Sequence, residues 1–358
     1  MDGTPGFDAV ILGAGFAGRL AALTLRQAGA RVALVGMSDR PVRQAVHVHQ
    51  LSPKAWDELS VLVPDLMDRL GVSGCTGPAQ LSRATLDRLM QTCVEQASDI
   101  VRVPRVSEAD RSGGQWLLRI QGEERLRADW LIDASGSARA GCKFLSSLSG
   151  QAVSLEDVEA DFACKSWRVK GVAPSSGDKL VRATVMDGQC GILCQFLGNG
   201  RATLTLHGLP EALHAIEDPL TLAQSSDNDG LQNSFREAYL ASGPYRWRGQ
   251  WANRILLEES EAARFNWFAL GDSLLTTPPI LGWGLAQAIE QTALLARTGL
   301  AADIVPALDA LAEPRMRQAT VASFLRTSSL SRNAATHADT PSASMVGERA
   351  PAIQTCRS

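Results

Sequence analysis

Three glycines close to the start of the chain have the spacing that a phosphate-binding turn requires. Gly13, Gly15 and Gly18 follow a short apolar run and precede apolar residues at helical spacing. The first glycine of such a turn makes the tight bend, the second lets a diphosphate approach backbone N–H groups, and the third lets helix pack on strand. With Phe16 and Ala17 between them, these residues predict a dinucleotide site at a helix N-terminus, where partial positive charge attracts the diphosphate. A purely structural glycine turn is the alternative.

The residue that holds the ribose in such sites is usually acidic and ends the second strand, about 20 residues further on. In this sequence that position is Gly36, which has no side chain to offer. Asp39 follows closely. Either its carboxylate replaces the usual one or backbone groups alone hold the ribose.

A second group of residues combines a carboxylate, two prolines and two glycines that open a helix. Its members, in chain order, are Gly271, Asp272, Pro278, Pro279, Gly282, Trp283, Gly284 and Leu285. Their order and spacing resemble the second fingerprint of the FAD-dependent aromatic hydroxylases, which are class A flavoprotein monooxygenases. The flavin-dependent halogenases and the geranylgeranyl reductases are relatives of that family.

This resemblance implies a role for each position. Asp272 is expected to hold the ribityl hydroxyls, and Pro278 and Pro279 to line the front of the isoalloxazine ring. Backbone N–H groups near residues 282–284 and at Leu285 are expected to meet the N1/O2 edge of the flavin. A helix N-terminus aimed at that edge would stabilise the negative charge of the reduced ring.

Two further segments resemble the same family, and the match runs from about residue 7 to residue 300. Arg83 lies in a Ser-Arg-x-x-Leu run whose arginine sits over the cofactor in the family, although a surface position at a helix start is the alternative. Asp133, Ser135 and Gly136 resemble the turn that closes the FAD domain. The resemblance therefore implies bound FAD.

His47 and His49 occupy alternate positions where the family segment passes close to the flavin. If the residue between them points into the core, both imidazoles share one face. One could then act as a proton shuttle or as a hydrogen-bond donor to substrate. Turn histidines bonded to backbone are an equal alternative. Trp283 is expected either to gate access to the ring or to pack over the sheet, and the sequence leaves both open.

Some motifs of the related halogenases are absent from this sequence, which narrows the expected activity. The segment from Trp247 to Trp251 does not match the W-x-W-x-I-P motif of tryptophan-type halogenases, and Lys54 lies in a different segment from their catalytic lysine. A halogenase is therefore disfavoured. No second nucleotide fingerprint is present, but class A members bind NAD(P)H transiently without one. NAD(P)H stays a candidate electron donor.

These residues need a scaffold that brings distant segments together. Apolar runs and helical periodicity alternate over the first 150 residues, which predicts an α/β protein with a parallel sheet. β-branched and alternating segments follow, which predicts an antiparallel sheet. The expected fold is a Rossmann-like FAD-binding domain of the glutathione-reductase type with an inserted, mainly antiparallel β-sheet substrate domain. Helices are expected at about 228–240, 285–300 and 304–325.

The expected domain organisation is discontinuous. Residues 1–152 and 262–305 form the FAD-binding domain, and 153–261 form the substrate-binding sheet. Residues 306–325 form a C-terminal helix. Residues 326–358 are rich in Ser, Thr, Ala and Pro and are expected to be a disordered tail.

Composition excludes several classes. The formal net charge is −3 with no long basic run, so nucleic acid is not an expected partner. No apolar stretch reaches the roughly 18 residues of a membrane span. Seven scattered cysteines favour reduced thiols, and the N-terminus lacks a signal-peptide pattern, so a cytoplasmic location is the expectation.

The expected activity is that of an FAD-dependent monooxygenase, in which a flavin C4a-hydroperoxide formed from O2 hydroxylates a small aromatic, apolar or electron-rich substrate. The resemblance implies this chemistry, since the cofactor carries it. The alternatives are a flavin-dependent dehydrogenase or reductase, an enzyme that modifies an aromatic side chain of a partner protein, and a non-enzymatic protein that binds FAD for structure alone.

Overall fold

The computed structural model describes residues 6–36, 51–69, 83–121, 125–174, 180–185, 190–248 and 252–338. The strands are β1 (Gly6–Leu12), β2 (Val32–Val35), β3 (Val101–Val103), β4 (Val106–Ser112), β5 (Gln115–Ile120), β6 (Arg125–Asp133), β7 (Leu155–Val158), β8 (Ala163–Lys170), β9 (Leu180–Val185), β10 (Cys190–Gly198), β11 (Arg201–Gly208), β12 (Tyr239–Arg248), β13 (Ala252–Ile255), β14 (Trp267–Ala269) and β15 (Leu275–Thr276). The helices are α1 (Phe16–Gln27), α2 (Pro53–Leu62), α3 (Pro64–Arg69), α4 (Arg83–Gln96), α5 (Ala140–Ser149), α6 (Pro210–His214), α7 (Pro219–Gln224), α8 (Asp229–Ser234), α9 (Trp283–Thr298) and α10 (Ile304–Ala338).

The largest sheet has the strand order β3-β2-β1-β6-β5-β4, and β14 also pairs with β6. Strands β3, β2, β1, β6 and β14 are parallel, whereas β5 and β4 pair antiparallel. All four residues of β2 and the last four of β1 are buried, as expected of parallel strands covered on both faces. The predicted parallel sheet is therefore confirmed for β1, β2, β3, β6 and β14, and it is extended by the antiparallel strands β5 and β4.

Parallel pairing brings the carboxyl ends of four strands to one edge of this sheet. Leu12 pairs with Val35 and with Asp133, and Asp133 pairs with Ala269. The next backbone N–H groups continue the pattern, with Gly13 donating to Val35 O (3.0 Å), Ala134 to Leu12 O (2.8 Å) and Leu270 to Asp133 O (2.8 Å). Ligands of open α/β sheets bind outside the carboxyl ends of the strands, so this edge positions the site.

Residues 155–255, together with β15, form the two other sheets. One is antiparallel with the order β12-β8-β11-β10-β9, and the other has the order β15-β13-β7. The five-stranded sheet has its own core, in which Phe235 and Leu231 from the α8 region pack on apolar residues of β10 and β11. The three-stranded sheet joins this part to the loop after β14. The predicted fold class is thus confirmed.

Two sequence predictions of helices differ from the structure. Residues 228–240 form only the short helix α8, because from Tyr239 the chain pairs with β8 instead. Helix α10 continues to Ala338, past the predicted end at Leu325, because residues 326–338 contain neither Gly nor Pro. Among the described helices, none combines the length and apolar character that crossing a membrane requires.

Candidate functional site

A cavity of about 610 Å³ lies at the carboxyl edge of the parallel strands. Its wall includes most of the residues predicted from the two fingerprints, namely Gly13, Gly15, Phe16, Ala17, Arg83, Gly271, Asp272, Pro279, Gly282, Gly284 and Leu285. The two fingerprints are separated by more than 250 residues in the chain and meet here through the pairing of β1, β6 and β14. The volume falls in the range of small-molecule and cofactor sites.

The three glycines of the first turn have different surroundings. A Cβ on Gly13, whose φ is +102°, would lie 2.5 Å from the carbonyl oxygen of Ala134, and a Cβ on Gly18 would lie 1.8 Å from the carbonyl oxygen of Gly13. Packing therefore requires both glycines. A Cβ on Gly15 would have no protein atom within 4 Å. The packing of the protein therefore does not require glycine at position 15, and the space beside Gly15 is free for a ligand.

Helix α1 and helix α9 both begin at this cavity. Their N-cap residues, Gly15 and Gly282, have no side chain to cap the helix. The unpaired first-turn N–H groups and the aligned peptide dipoles give each end partial positive charge. The two helix starts suit a ligand that carries negative charge at two separate places. A flavin dinucleotide is such a ligand, with its diphosphate and with the N1/O2 edge of its reduced ring.

The position where the fingerprint predicts an acidic residue for the ribose has no acidic side chain. Gly36 lies in the cavity wall with a φ of +88°, and its N–H donates to the carbonyl oxygen of Val103 at 2.8 Å. A left-handed φ disfavours a side chain there. Asp39, His47 and His49 fall outside the described residues, so their predicted roles stay predictions.

Arg83 is buried in the cavity wall rather than exposed at the helix start. Its side chain is 9% exposed, and its Nε donates to both carboxylate oxygens of Asp87 at 2.9 Å. Its guanidinium carbon lies 5.5 Å from the ring centroid of Phe16, which is cation–π contact distance. This position favours the predicted cofactor role over a surface role.

Asp272 supplies the only carboxylate of the described cavity wall. It lies in a 3₁₀ turn at Gly271–Ser273, directly after β14. Burial raises the pKa of its carboxyl above the ordinary value, because the protein disfavours the charged form, and the guanidinium groups of Arg83 and Arg139 partly offset this. Such a carboxyl needs hydrogen-bond donors, which ligand hydroxyl groups can supply.

The loop that carries Asp272 is held at both ends by helix α9. Gln291 accepts a hydrogen bond from the N–H of Gly271 at 2.6 Å, and Gln287 donates to the carbonyl oxygen of Leu275 at 2.5 Å. Both glutamine side chains are 1% exposed. These two hydrogen bonds to the loop backbone fix the position of the Asp272 carboxylate.

Arg139 joins three parts of the site, and the sequence prediction missed it. Its Nε donates to the carbonyl oxygen of Ser273 at 2.9 Å, and its Nη2 donates to the carbonyl oxygen of Asn253 at 3.0 Å. It follows the predicted turn at Asp133 and Ser135, which was the only signal in the sequence. Arg19 and Asn253 also line the cavity without having been predicted.

Three residues that were predicted at the site and are described by the structure lie apart from the cavity lining, namely Gly18, Pro278 and Trp283. Pro278 is buried beside Pro279. Gly18 is used in packing, as described above. Trp283 is partly buried and packs against the main hydrophobic core. It is absent from the cavity lining formed by the described residues. Its position favours the packing alternative over a gate.

The inserted sheets contribute an aromatic and a cationic side chain to the cavity. Trp247 and Arg248, at the end of β12, lie in its wall together with Thr276 and Thr277. The ring of Trp247 meets that of Phe162 edge to face, with 5.9 Å between centroids. Within the part of the chain that the structure describes, no cluster of His, Cys, Asp and Glu could hold a metal ion.

Comparison with known proteins agrees with this geometry. Residues 7–164 match the family model described as pyridine nucleotide-disulphide oxidoreductase, which spans less than half of the chain. Comparison with curated protein sequences gives no match.

Solved structures share the fold at low sequence identity. P. aeruginosa PqsL in complex with 2-aminobenzoylacetate is 16% identical, with a TM-score of 0.68 over 90% of this chain and 96% of that one. The flavin-dependent brominase Bmp2 is 15% identical, with a TM-score of 0.64 over 88% and 83% of the two chains. A variant of the halogenase PltM in complex with FAD is 12% identical, with a TM-score of 0.59 over 84% and 70%. The predicted resemblance is confirmed for the fold, and the family model that matches residues 7–164 is that of an oxidoreductase.

Proposed function

We propose that this chain, which has the fold of flavin-dependent halogenases and monooxygenases, is an FAD-dependent monooxygenase that uses O2 to hydroxylate an aromatic or electron-rich substrate. One observation supports the cofactor above all others. Two helices begin at glycine on the same cavity, and the carboxylate of Asp272 lies in its wall, 3.8 Å from where a Cβ on Gly284 would be.

Bound FAD would supply the redox chemistry, and the chain would supply binding and electrostatics. The start of α1 and the open place at Gly15 would hold the diphosphate. Asp272 would accept hydrogen bonds from the ribityl hydroxyls. Backbone N–H groups at Gly284 and Leu285 would stabilise negative charge on the pyrimidine edge. Pro279 would cover the face of the ring without adding an N–H donor.

The division of the chain follows from the same assignment. Residues 1–152 and 262–305 would bind FAD, and 153–261 would contribute the substrate side through Trp247 and its neighbours. Residues 306–325 would support the FAD domain through α10, in which Arg315 pairs with Glu290 of α9 at 2.5 Å. His47 or His49 would move a proton or orient the substrate.

A halogenase is the less favoured member of this fold group. Halogenases of the tryptophan type carry a catalytic lysine, whereas no lysine lines the cavity formed by the described residues. Lys54 is exposed at the start of α2. An aromatic wall at Trp247 suits an apolar aromatic substrate in either case.

The experiment that tests this proposal follows reduced flavin in time. The FAD-loaded protein is reduced with dithionite without oxygen and mixed with O2 in a stopped-flow instrument, with free reduced FAD as the control. A monooxygenase is expected to show a transient near-ultraviolet band before the oxidised spectrum returns. Direct return to the oxidised spectrum, with no transient at any O2 concentration, would instead identify a dehydrogenase or reductase.

The electron donor and the kind of substrate are tested separately. NADH and NADPH are each mixed with the oxidised holoenzyme, and bleaching of the flavin band identifies a direct donor. If neither bleaches it but dithionite does, a separate reductase supplies the electrons. Acceleration of flavin reduction or of O2 uptake by small aromatic compounds, and not by aromatic peptides, would exclude the alternative of a partner-protein substrate.

A further inference from the structure

Three charged side chains from two helices meet beside the glycine turn, and two of them, Arg19 and Arg83, lie in the cavity wall. Arg19 lies on α1, directly after Gly18, while Arg83 and Asp87 lie one turn apart on α4. Arg19 is 3% exposed, and the side chains of Arg83 and Asp87 are 9% and 8% exposed. Buried charges of this kind require partners.

Of the two arginines, only Arg83 bonds to the carboxylate of Asp87. Both of its oxygens accept from Arg83 Nε at 2.9 Å. Arg19 reaches only the main-chain oxygen of Asp87, at 3.1 Å, and the amide oxygen of Gln91, at 3.4 Å. The remaining carboxylate near Arg19, that of Glu95, is exposed to solvent. Within this cluster, two guanidinium groups therefore lie close to one carboxylate, which leaves an excess of one positive charge. Asp272 also attracts Arg83 electrostatically, but burial raises the pKa of its carboxyl and so disfavours its charge.

Arg19 also has an unused donor. Its Nε is inaccessible to solvent and has no hydrogen-bond partner among the described residues. Burial lowers the pKa of Arg19, because its charged form lacks the stabilisation of water. Since an arginine stays protonated in proteins, the cluster is incomplete without an anion. Arg19 and Arg83 line the same cavity as Gly15, and Gly15 leaves room for that anion.

We propose that Arg19 and Arg83, with Asp87 as their positioning residue, form an anion-binding pair that holds the diphosphate of the dinucleotide. This rests on the proposed FAD site. The resemblance to flavoproteins pointed to Arg83 alone, whereas Arg19 and Asp87 enter through the geometry of this chain. The pair provides polar affinity at the nucleotide end of the site, where Gly36 offers no side chain to the ribose.

The test compares two flavins, one with the diphosphate and adenosine and one with neither, and uses inorganic pyrophosphate to isolate the contribution of the diphosphate. FAD carries it and riboflavin does not, and both are titrated into the full chain by flavin fluorescence. Arg19→Met is expected to weaken FAD binding at least about tenfold, the effect of one charge-assisted hydrogen bond, and to leave riboflavin binding unchanged. Inorganic pyrophosphate should displace FAD from the wild type and be correspondingly weaker on the variant.

The matched control is Arg26→Met, on the same helix and with the same change of charge. Arg26 is 40% exposed and pairs with Asp99 at 2.5 Å, at the opposite end of α1 from the cavity. The Arg26→Met substitution should leave the affinities for FAD, riboflavin and pyrophosphate unchanged. If Arg19→Met does not fold, Arg19→Gln retains an amide donor for the main-chain oxygen of Asp87 and carries the same test.

The outcomes separate this inference from the proposed function. Equal weakening of FAD and riboflavin, or unchanged FAD binding by a folded Arg19 variant, would overturn the anion-binding pair. Failure of the wild type to bind either flavin would overturn the proposed function instead. In that event pyrophosphate alone decides the inference. It should raise the melting temperature of the wild type and not of Arg19→Met, and absence of that difference rejects the pair.

Discussion

The carboxylate of Asp133 accepts a hydrogen bond from the hydroxyl of Ser273 at 3.1 Å, across 140 positions of the chain. Asp133 ends β6, and Ser273 belongs to the turn that carries Asp272. The same carboxylate accepts from the N–H of Ser135 at 2.9 Å and from the N–H of Gly141 at 2.7 Å. One fully buried side chain thus sets the distance between two walls of the cavity.

Asp133→Asn is expected to destabilise the protein, because every partner of this carboxylate is a donor and an amide nitrogen would face one of them. The free energy of unfolding should fall by about 2–3 kcal/mol, the cost of a mismatched buried hydrogen bond to a charged group. Urea denaturation followed by circular dichroism measures it. Asp110→Asn, on an exposed position of β4, is the control and should leave the free energy unchanged within about 0.5 kcal/mol. An equal effect of both variants would contradict this assignment.

Gly15→Ala and Gly18→Ala are the same substitution three residues apart, with opposite expected results. Gly15→Ala adds a methyl group where no protein atom lies within 4 Å, so stability should stay within about 0.5 kcal/mol while FAD affinity falls at least about tenfold. Gly18→Ala drives a Cβ against the carbonyl oxygen of Gly13, and it should cost about 3 kcal/mol or prevent folding. Thermal denaturation and FAD titration of both variants provide the comparison. Normal FAD binding by Gly15→Ala would exclude the turn as the diphosphate site.

Asp272→Asn is expected to stabilise the ligand-free protein in a pH-dependent way. Burial raises the folded-state pKa of this carboxyl above its unfolded value, so folding binds a proton more tightly and stability is lost as the pH rises through the folded pKa. The charged form therefore lowers stability at pH 7. The variant should melt at a higher temperature than the wild type at pH 7, and this advantage should disappear near the unfolded pKa of about 3.9.

The same variant should bind FAD more weakly, because an amide accepts hydroxyl hydrogen bonds less strongly than a carboxylate. Greater stability with weaker FAD binding would indicate a residue kept for function. A melting advantage that is constant between pH 7 and pH 4 would show that the charge of Asp272 is not its cause.

Asp87→Ala is expected to be strongly destabilising, because it leaves the buried guanidinium of Arg83 without its bidentate partner. Removing one partner of a buried ion pair costs about 3–5 kcal/mol. Guanidinium chloride denaturation measures the loss. Asp57→Ala, on an exposed position of α2, is the control for losing one aspartate from a helix. An exposed ion pair contributes about 1 kcal/mol or less. A loss below about 1 kcal/mol for Asp87→Ala would therefore mean that water replaces the carboxylate.

Sequence reasoning identified the parts of the site that backbone conformation requires. Gly13 and Gly18 are where packing forbids a Cβ, and Gly282 has a φ of +68° at the start of α9. Such positions accept little besides glycine, so they can be recognised in one sequence. The strand before the first turn, β1, was equally clear from its apolar run.

The supporting side chains could not be predicted in this way. Arg19, Arg139 and Gln291 act through contacts between segments far apart in the chain, and each has a residue type that is common on helix surfaces. Nothing in their local sequence separates a buried arginine from an exposed one. The strand that begins at Tyr239 was predicted as a helix for the same reason. Its conformation is decided by pairing with β8, which is a contact with a distant segment.

Equilibrium titration with FAD measures whether one FAD binds at the cavity where α1 and α9 begin. The purified wild type, stripped of flavin, is titrated with FAD by calorimetry beside Gly15→Ala. One FAD per chain in the wild type, with at least about tenfold weaker binding by a folded Gly15→Ala, is the expected result. A wild type that binds no FAD, or a variant that binds it equally well, would contradict FAD binding at this cavity.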